Sequence, residues 1–150
     1  MGQTTLVNSI GEDQDVFLDS AILIYFFEGI EKYKESLFGL LDLLSSKRKK
    51  AYISTIALSE LLVMPYKKGD FDSARAWTEI LKFSDQFELI SVNPRIAIDT
   101  AYVRANYGFK TPDSLHIATA MQAESPVFIT NDKKLKKFEE MTVLCLDDFV

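Results

Sequence analysis

A short apolar stretch followed directly by an acid constrains the fold of this chain more than any other feature. Val16-Phe17-Leu18 is rich in strand-forming residues and precedes Asp19, Ser20 and a second apolar run. A continuous apolar run of this length is typical of a strand buried on both faces of a parallel sheet. Asp19 is a favourable helix N-cap, because a carboxylate accepts the unpaired N–H groups of the first turn. The pattern predicts a buried strand, then an acid, then a helix.

The same arrangement recurs near the other end of the chain, where the apolar residues 127–130 are followed by Asn131 and Asp132. Further strands are predicted at 51–53, 87–92 and, as an edge strand, 141–146. Helices are predicted between them, at 20–27, 32–46, 56–66, 70–83, 94–107 and from 111 onwards. This alternation predicts right-handed crossovers and an α/β fold: a three-layer α/β/α arrangement with a central parallel sheet of four to five strands.

One glutamate lies inside an apolar helical stripe. Glu60 shares a helix face with four apolar residues, spaced at helical intervals: Ile56, Ala57, Val63 and Met64. A buried carboxylate is costly unless a positive or hydrogen-bonding group meets it. Glu60 therefore either reaches water at the edge of the stripe or has a partner in the folded protein.

Four acids are predicted to meet at one edge of the sheet. Asp19 and Asp132 follow parallel strands, whose carboxyl ends share an edge, and Glu60 comes early in the helix after the second strand. Asp113 lies in the first turn of a helix that begins near Thr111-Pro112, and that helix start could lie at either end of the sheet. Four carboxylates at one place repel one another strongly unless a cation is present. Oxygen ligands of this kind suit Mg²⁺ or Mn²⁺.

Composition narrows the chemistry further. The 150 residues carry a net charge of −5, which argues against a nucleic-acid coat protein with a broad basic face. The single cysteine excludes an internal disulfide, excludes zinc sites built from cysteine and histidine, and favours a cytoplasmic location. Cys145 lies in an apolar run that is typical of a core strand.

The sequence contains a single histidine, His116, which lies one turn after Asp113. Catalysis by a pair of imidazoles is therefore excluded, and we interpret His116 as a polar residue satisfied by a neighbour. No apolar run has the length of a membrane span.

Four short sequence segments together resemble the motifs of the PIN-domain nucleases. In chain length and sequence pattern the chain is most similar to the VapC-type toxins of toxin–antitoxin pairs. The segments are Leu18-Asp19-Ser20 with the following apolar run, residues 54–62 around Glu60, residues 112–120 from Pro112-Asp113, and residues 128–132 ending in Asp132. The resemblance covers nearly the whole chain. It implies a single PIN-like nuclease domain over residues 16–150. Residues 1–15, which are mostly polar and without pattern, are predicted to form a flexible N-terminal arm that is longer than usual for the compact toxins.

The resemblance also implies a function. It indicates a metal-dependent endoribonuclease that uses Mg²⁺ or Mn²⁺, forms a homodimer and is inhibited by a cognate antitoxin protein. The acidic site would comprise Asp19, Glu60, Asp113 and Asp132. Hydrogen bonds that support the acids are expected from Ser20, Thr130 and Asn131, and contacts with the phosphate backbone of the RNA substrate from Arg104, Lys133 and Lys134. One departure is Asp19-Ser20-Ala21, where family members often have Asp-Thr-Asn.

Two other functions remain open at this point. Phosphatases of the haloacid-dehalogenase type need an acid two residues after the nucleophilic Asp, where this chain has Ala21, and receiver domains need an acidic pair where it has Asp19-Ser20. A PIN-like scaffold that binds RNA or protein without cutting is the other alternative. The four acids argue against a scaffold, which has little physical reason to keep them together.

Overall fold

A parallel sheet of five strands forms the centre of the protein, as seen in the computed structural model, which describes residues 4–11 and 14–150. The strands are β1 (Val16–Leu18), β2 (Ala51–Ser54), β3 (Phe87–Ile90), β4 (Val127–Thr130) and β5 (Thr142–Cys145). Their order across the sheet is β3-β2-β1-β4-β5, and every neighbouring pair is parallel. The predicted parallel sheet is confirmed, with β5 as one of its edges.

Helices cover both faces of this sheet. The described residues form α1 (Ser20–Glu28), α2 (Glu31–Ser46), α3 (Ile56–Leu61), α4 (Val63–Lys67), α5 (Phe71–Phe83), α6 (Pro94–Tyr107) and α7 (Thr111–Gln122). One apolar core joins one sheet face to α1, α2, α3 and α5, with Ile22 and Leu81 among its buried members. A second core joins the other face to α6 and α7 through Phe17, Val103 and Ile117. These three layers confirm the predicted α/β/α fold.

The order of the strands places a crevice at the centre of the sheet. From β1 the chain moves to β2 and β3 on one side, and it then crosses back to form β4 on the other side of β1. Such a switch point opens a gap at the carboxyl ends of the two strands, because their connections leave in opposite directions. Asp19 follows β1 and Asp132 lies two residues after β4, so both acids lie at this gap.

One predicted helix is in fact two. The helix expected over 56–66 ends at Leu61, and α4 begins at Val63. Pro65 explains the break, since it has no N–H to donate to the carbonyl of Leu61 and its ring crowds that group. The helical spacing of the apolar residues before and after Pro65 had suggested one continuous helix. Glu60 consequently lies one residue before the end of a six-residue helix.

Other boundaries also differ from prediction. β3 ends at Ile90 rather than at residue 92, because its partner β2 ends at Ser54, which is in register with Ile90. The helix that carries Asp113 begins at Thr111, and Lys110 precedes it without a side-chain cap. The chain after Asp132 forms a 3-10 helix, Lys133–Lys137, and β5 is followed by another, Leu146–Phe149.

The N-terminal segment is not loose where the structure describes it. A short 3-10 helix, Val7–Ser9, lies between Leu6 and Ile10, and both flanking side chains are buried in the core next to α2. Residues 1–3, 12 and 13 of the predicted arm lie outside the described residues. The division into an arm and a domain from residue 16 stays a prediction. Within the described chain, no helix combines the length and hydrophobicity that crossing a membrane requires.

Candidate active site

Asp19 is held at the switch point by hydrogen bonds to both of its carboxylate oxygens. It follows the last residue of β1 and caps α1: the backbone N–H of Ser20 donates to Oδ1 at 2.8 Å. The hydroxyl of Thr130, at the end of β4, donates to Oδ2 at 2.7 Å. The carboxylate is buried, so these bonds stabilise its charge where water reaches it poorly. The predicted N-cap is confirmed, and the contact with β4 adds to it.

Thr130 also links Asp19 to Asp132. Its hydroxyl oxygen accepts a hydrogen bond from the backbone N–H of Asp132 at 3.1 Å while it donates to Asp19. Oδ1 of Asp132 accepts from the backbone N–H of Lys134 at 3.0 Å, which orients this carboxylate at the start of the 3-10 helix. One hydroxyl therefore fixes the positions of two acids from neighbouring strands.

Glu60 has the partners that its place in an apolar stripe requires. Its Oε1 is 2.7 Å from Nε2 of His116, and its Oε2 accepts a hydrogen bond from the hydroxyl of Ser20 at 3.1 Å. The hydrogen bond from His116 lowers the pKa of the Glu60 carboxyl, against the opposite effect of its partial burial. Both outcomes expected from sequence are found: the carboxylate has hydrogen-bond partners, and the side chain is 35% exposed.

Asp113 shows that the acids form one electrostatic group. Burial raises the pKa of Asp113, and the negative charges of Asp19, Asp132 and, more weakly, Glu60 raise it further, with His116 opposing them. His116, one turn after Asp113 on α7, lies 3.8 Å from Oδ1 of Asp19 through its Nε2, so the start of α7 faces the same edge of the sheet as Asp19. We call Asp19, Glu60, Asp113 and Asp132 the acid cluster.

His116 contacts two members of the acid cluster, which the sequence did not indicate. It follows Asp113 by one helical turn on α7 and is buried. Burial works to lower its pKa, but the hydrogen bond to Glu60 and the charges of Asp19, Glu60 and Asp113 outweigh burial and raise the pKa overall. The prediction of a histidine satisfied by a neighbour is confirmed for Nε2, and that neighbour is part of the acid cluster.

Comparison with known proteins identifies the family. The family model described as the PIN domain matches residues 16–141, which is most of the chain. The chain belongs to the PIN-domain family. No curated protein shows a significant sequence match to it.

Solved structures share the fold of this PIN domain. VapBC2 from Rickettsia felis, bound to a DNA fragment from its promoter, matches with a TM-score of 0.69 and 21% identity, over 87% of this chain and 97% of that chain. A toxin–antitoxin complex from Klebsiella pneumoniae matches with a TM-score of 0.66 and 23% identity, over 88% and 98%. The sarcin-ricin loop cleaving toxin VapC20 from Mycobacterium tuberculosis matches at 0.60 and 12% identity, over 76% and 87%. At these identities the likeness establishes the fold.

The acid cluster of this PIN domain has the chemistry of a divalent cation site. All four members offer carboxylate oxygen, the ligand that Mg²⁺ and Mn²⁺ prefer. Burial first, and then the charges of Asp19 and Asp132, raise the pKa of Asp113. In the conformation described, no three Asp, Glu, His or Cys side chains of residues 4–11 and 14–150 are arranged to hold one ion. The donor set fits such a metal, and side-chain rotation would have to bring the oxygens around one ion.

Asn131 does not support the acids as predicted. Its side chain turns away from the acid cluster: Nδ2 donates to the hydroxyls of Tyr25 and Tyr33, and Oδ1 accepts from the backbone N–H of Asp147 at 2.9 Å. Successive side chains at the end of a strand point to opposite faces, so Thr130 and Asn131 have different surroundings. Ser20 and Thr130 donate hydrogen bonds to members of the acid cluster, whereas the hydrogen bonds of Asn131 go to other residues; the supporting roles of all three stay predictions.

The basic residues expected to contact phosphate are exposed. Lys133 and Lys134 follow Asp132 directly, and only the backbone of Lys134 contacts that acid. Arg104 lies in the last turn of α6. Their phosphate contacts stay predictions.

Proposed function

We propose that this PIN domain is a metal-dependent endoribonuclease that acts as the toxin of a toxin–antitoxin pair. The single observation that carries the proposal is that Asp19, after β1, and Asp132, after β4, are joined through the hydroxyl of Thr130 at the switch point of a parallel sheet. Asp113 and Glu60 would complete the site. A group of unneutralised acids lowers the stability of the metal-free fold, so its presence there favours a catalytic role over a purely structural one.

The residues have separate tasks in this proposal. Asp19, Asp113 and Asp132 would hold Mg²⁺ or Mn²⁺, and the bound ion would lower the pKa of a water and offset charge that builds on the phosphodiester. Glu60 would be a further ligand or orient the attacking water. Ser20 and Thr130 hold Glu60 and Asp19 in place by hydrogen bonds. Lys133, Lys134 and Arg104 would contact the phosphate backbone of the RNA.

The structural relatives support RNA as the substrate and a protein as the inhibitor. One relative is described as a toxin that cleaves the sarcin-ricin loop, and others are toxin–antitoxin complexes. An exposed apolar surface favours a protein partner here too. Tyr66, Phe71 and Phe83 are 54%, 65% and 73% exposed and line a groove of about 430 Å³ along α4 and α5. A neighbouring gene for a small DNA-binding protein would support the pairing.

A cleavage assay on the purified chain tests the enzymatic part. We expect cleavage of an RNA pool with Mn²⁺ and none after chelation, and we expect Asp19→Asn to reduce the rate by about 100-fold or more, because it removes a charged ligand from the site. Asp42→Asn, an exposed acid on α2, is the matched control and should leave the rate unchanged.

Equal rates for the wild type and Asp19→Asn would refute the proposed chemistry. If the wild type neither cleaved RNA nor bound Mn²⁺ in a calorimetric titration, the chain would be a non-catalytic PIN-like binding module.

A further inference from the structure

The imidazole of His116 lies between two members of the acid cluster and away from solvent. It is 1% exposed, and its Nε2 is 2.7 Å from Oε1 of Glu60 and 3.8 Å from Oδ1 of Asp19. Its Nδ1 is buried without a hydrogen-bond partner among the described residues. A side chain so enclosed does not contact a substrate, so any part that it takes in the reaction passes through the acids.

The direction of the hydrogen bond follows from the chemistry of its partner. An ionised carboxylate only accepts hydrogen bonds, so Nε2 carries the proton that points at Glu60. With Nε2 committed in this way and Nδ1 enclosed, His116 is not placed to ligate a metal. Its position instead allows it to orient the carboxylate of Glu60, a member of the acid cluster.

Glu60 needs such a partner because its own helix restrains it poorly. It lies at the fifth of six positions in α3, two residues before the break at Leu62. Fixing a free glutamate side chain costs rotamer entropy. The hydroxyl of Ser20 donates to Oε2 and His116 contacts Oε1, so each carboxylate oxygen has its own contact and the plane of the group is set.

We propose that His116 is a positioning residue that fixes the carboxylate of Glu60 within the acid cluster and thereby couples α7 to α3. Asp113 and His116 lie one turn apart on the same helix, so α7 supplies one acid directly and orients a second through the imidazole. The catalytic consequence rests on the proposed nuclease function, whereas the contact itself does not.

Three substitutions of His116 separate positioning from packing. His116→Leu keeps an apolar volume without a donor. His116→Gln keeps a donor near the position of Nε2, whereas the shorter amide of His116→Asn reaches only the position of Nδ1. We expect RNA cleavage to fall by about 10–100-fold in His116→Leu and His116→Asn, and by less than about 5-fold in His116→Gln. Unchanged cleavage in His116→Leu would overturn the proposal.

A double-mutant cycle tests whether His116 acts through Glu60. In the Glu60→Gln background, His116→Leu should cause almost no further loss of cleavage or of Mn²⁺ affinity, because the group that it positions has already been changed. A further loss as large as in the wild-type background would show that His116 acts independently of Glu60 and would overturn the proposal.

A measurement without metal or RNA tests the contact alone. His116 is the single histidine of the chain, so every imidazole nitrogen resonance in a long-range ¹H–¹⁵N spectrum belongs to it. We expect a protonated Nε2 whose resonances shift in Glu60→Gln and not in Asp42→Asn. Resonances unaffected by Glu60→Gln would overturn the proposal even if the nuclease function held. If the wild type cut no RNA, the spectrum and the Mn²⁺ titration would still decide the role of His116.

Discussion

Among individual side chains, the hydroxyl of Thr130 has an unusually large share in building the site. It donates to Asp19 and accepts from the backbone N–H of Asp132, and it is fully buried. A single small group thus joins the ends of β1 and β4 across the switch point. Since a buried polar group without a partner is costly, the loss of this hydroxyl affects both acids together.

Replacing this hydroxyl by a methyl group should impair both stability and cleavage. Thr130→Val preserves the shape and leaves Oδ2 of Asp19 and the N–H of Asp132 without this partner. We expect a loss of about 1–3 kcal/mol in the free energy of unfolding and a 10–100-fold slower cleavage of RNA, measured by urea denaturation and by the Mn²⁺-dependent assay. Thr130→Ser is the control and should retain most of both; equal behaviour of the two variants would contradict the assigned role.

Between helices and strands, Asn131 acts as a junction. Its amide contacts the hydroxyls of Tyr25 from α1 and Tyr33 from α2, and its carbonyl oxygen contacts the backbone N–H of Asp147 in the 3-10 helix Leu146–Phe149. The two tyrosine rings stack with their centroids 4.4 Å apart. The residue beside the acid cluster therefore joins two helices and the C-terminal segment to the end of β4.

The junction predicts a structural effect for Asn131→Ala. Removal of the side chain leaves the N–H of Asp147 without this acceptor, and we expect about 1–3 kcal/mol lower stability in urea denaturation. Cleavage under stabilising conditions should fall less than in Thr130→Val. Asn8→Ala, at an exposed position, should change stability by less than about 0.5 kcal/mol. A large loss of cleavage at unchanged stability would instead support the role inferred from sequence.

A pH-dependent contact joins α2 to the C-terminal segment. The hydroxyl of Tyr33 donates to Oδ1 of Asp147 at 2.7 Å, and Nζ of Lys32 lies 3.1 Å from the same oxygen. The hydrogen bond from Tyr33, followed by that from Lys32, lowers the pKa of Asp147. The folded protein thus holds this proton less tightly than the unfolded chain, whose aspartate pKa is about 3.9.

The sign of the effect follows from linkage. The stabilisation is complete above the unfolded pKa of about 3.9 and is lost as the pH falls through the lower folded pKa. We expect the wild type to be more stable than Asp147→Asn at pH 7, and the difference to shrink below pH ~4. Thermal unfolding from pH 7 to pH 3 measures this. A difference that grew towards low pH would contradict the assigned contact.

Across the part of the protein that the structure describes, the core includes two side chains that precede residue 16, Leu6 and Ile10. Both are buried next to α2. The nuclease domain proposed from residue 16 onward thus shares its core with residues that precede it.

Truncation of one side chain tests this packing. Leu6→Ala should lower the free energy of unfolding by about 2–5 kcal/mol, as expected for a buried leucine. Ile98→Ala, at a position that is 67% exposed, is the matched control and should cost less than about 0.5 kcal/mol. Equal unfolding midpoints for the two variants would show that the segment does not contribute to stability.

The local sequence pattern was sufficient to predict the parallel sheet, its covering helices and the acids that follow β1 and β4. These features depend on consecutive residues: the length of an apolar run, the spacing of apolar side chains and the capping groups between them. The break at Pro65 was also readable, because a proline conflicts with the carbonyl four residues before it.

Contacts between distant parts of the chain needed the folded structure. The hydrogen bond from Thr130 to Asp19 spans 111 residues, and the contact of His116 with Glu60 spans 56. The contacts of Asn131 away from the acids and the burial of Leu6 in the core also depend on tertiary packing. Such pairings depend on strand order and on how helices pack, and many packings are compatible with one local pattern. A sequence read locally identifies which groups can do chemistry, and packing selects which of them meet.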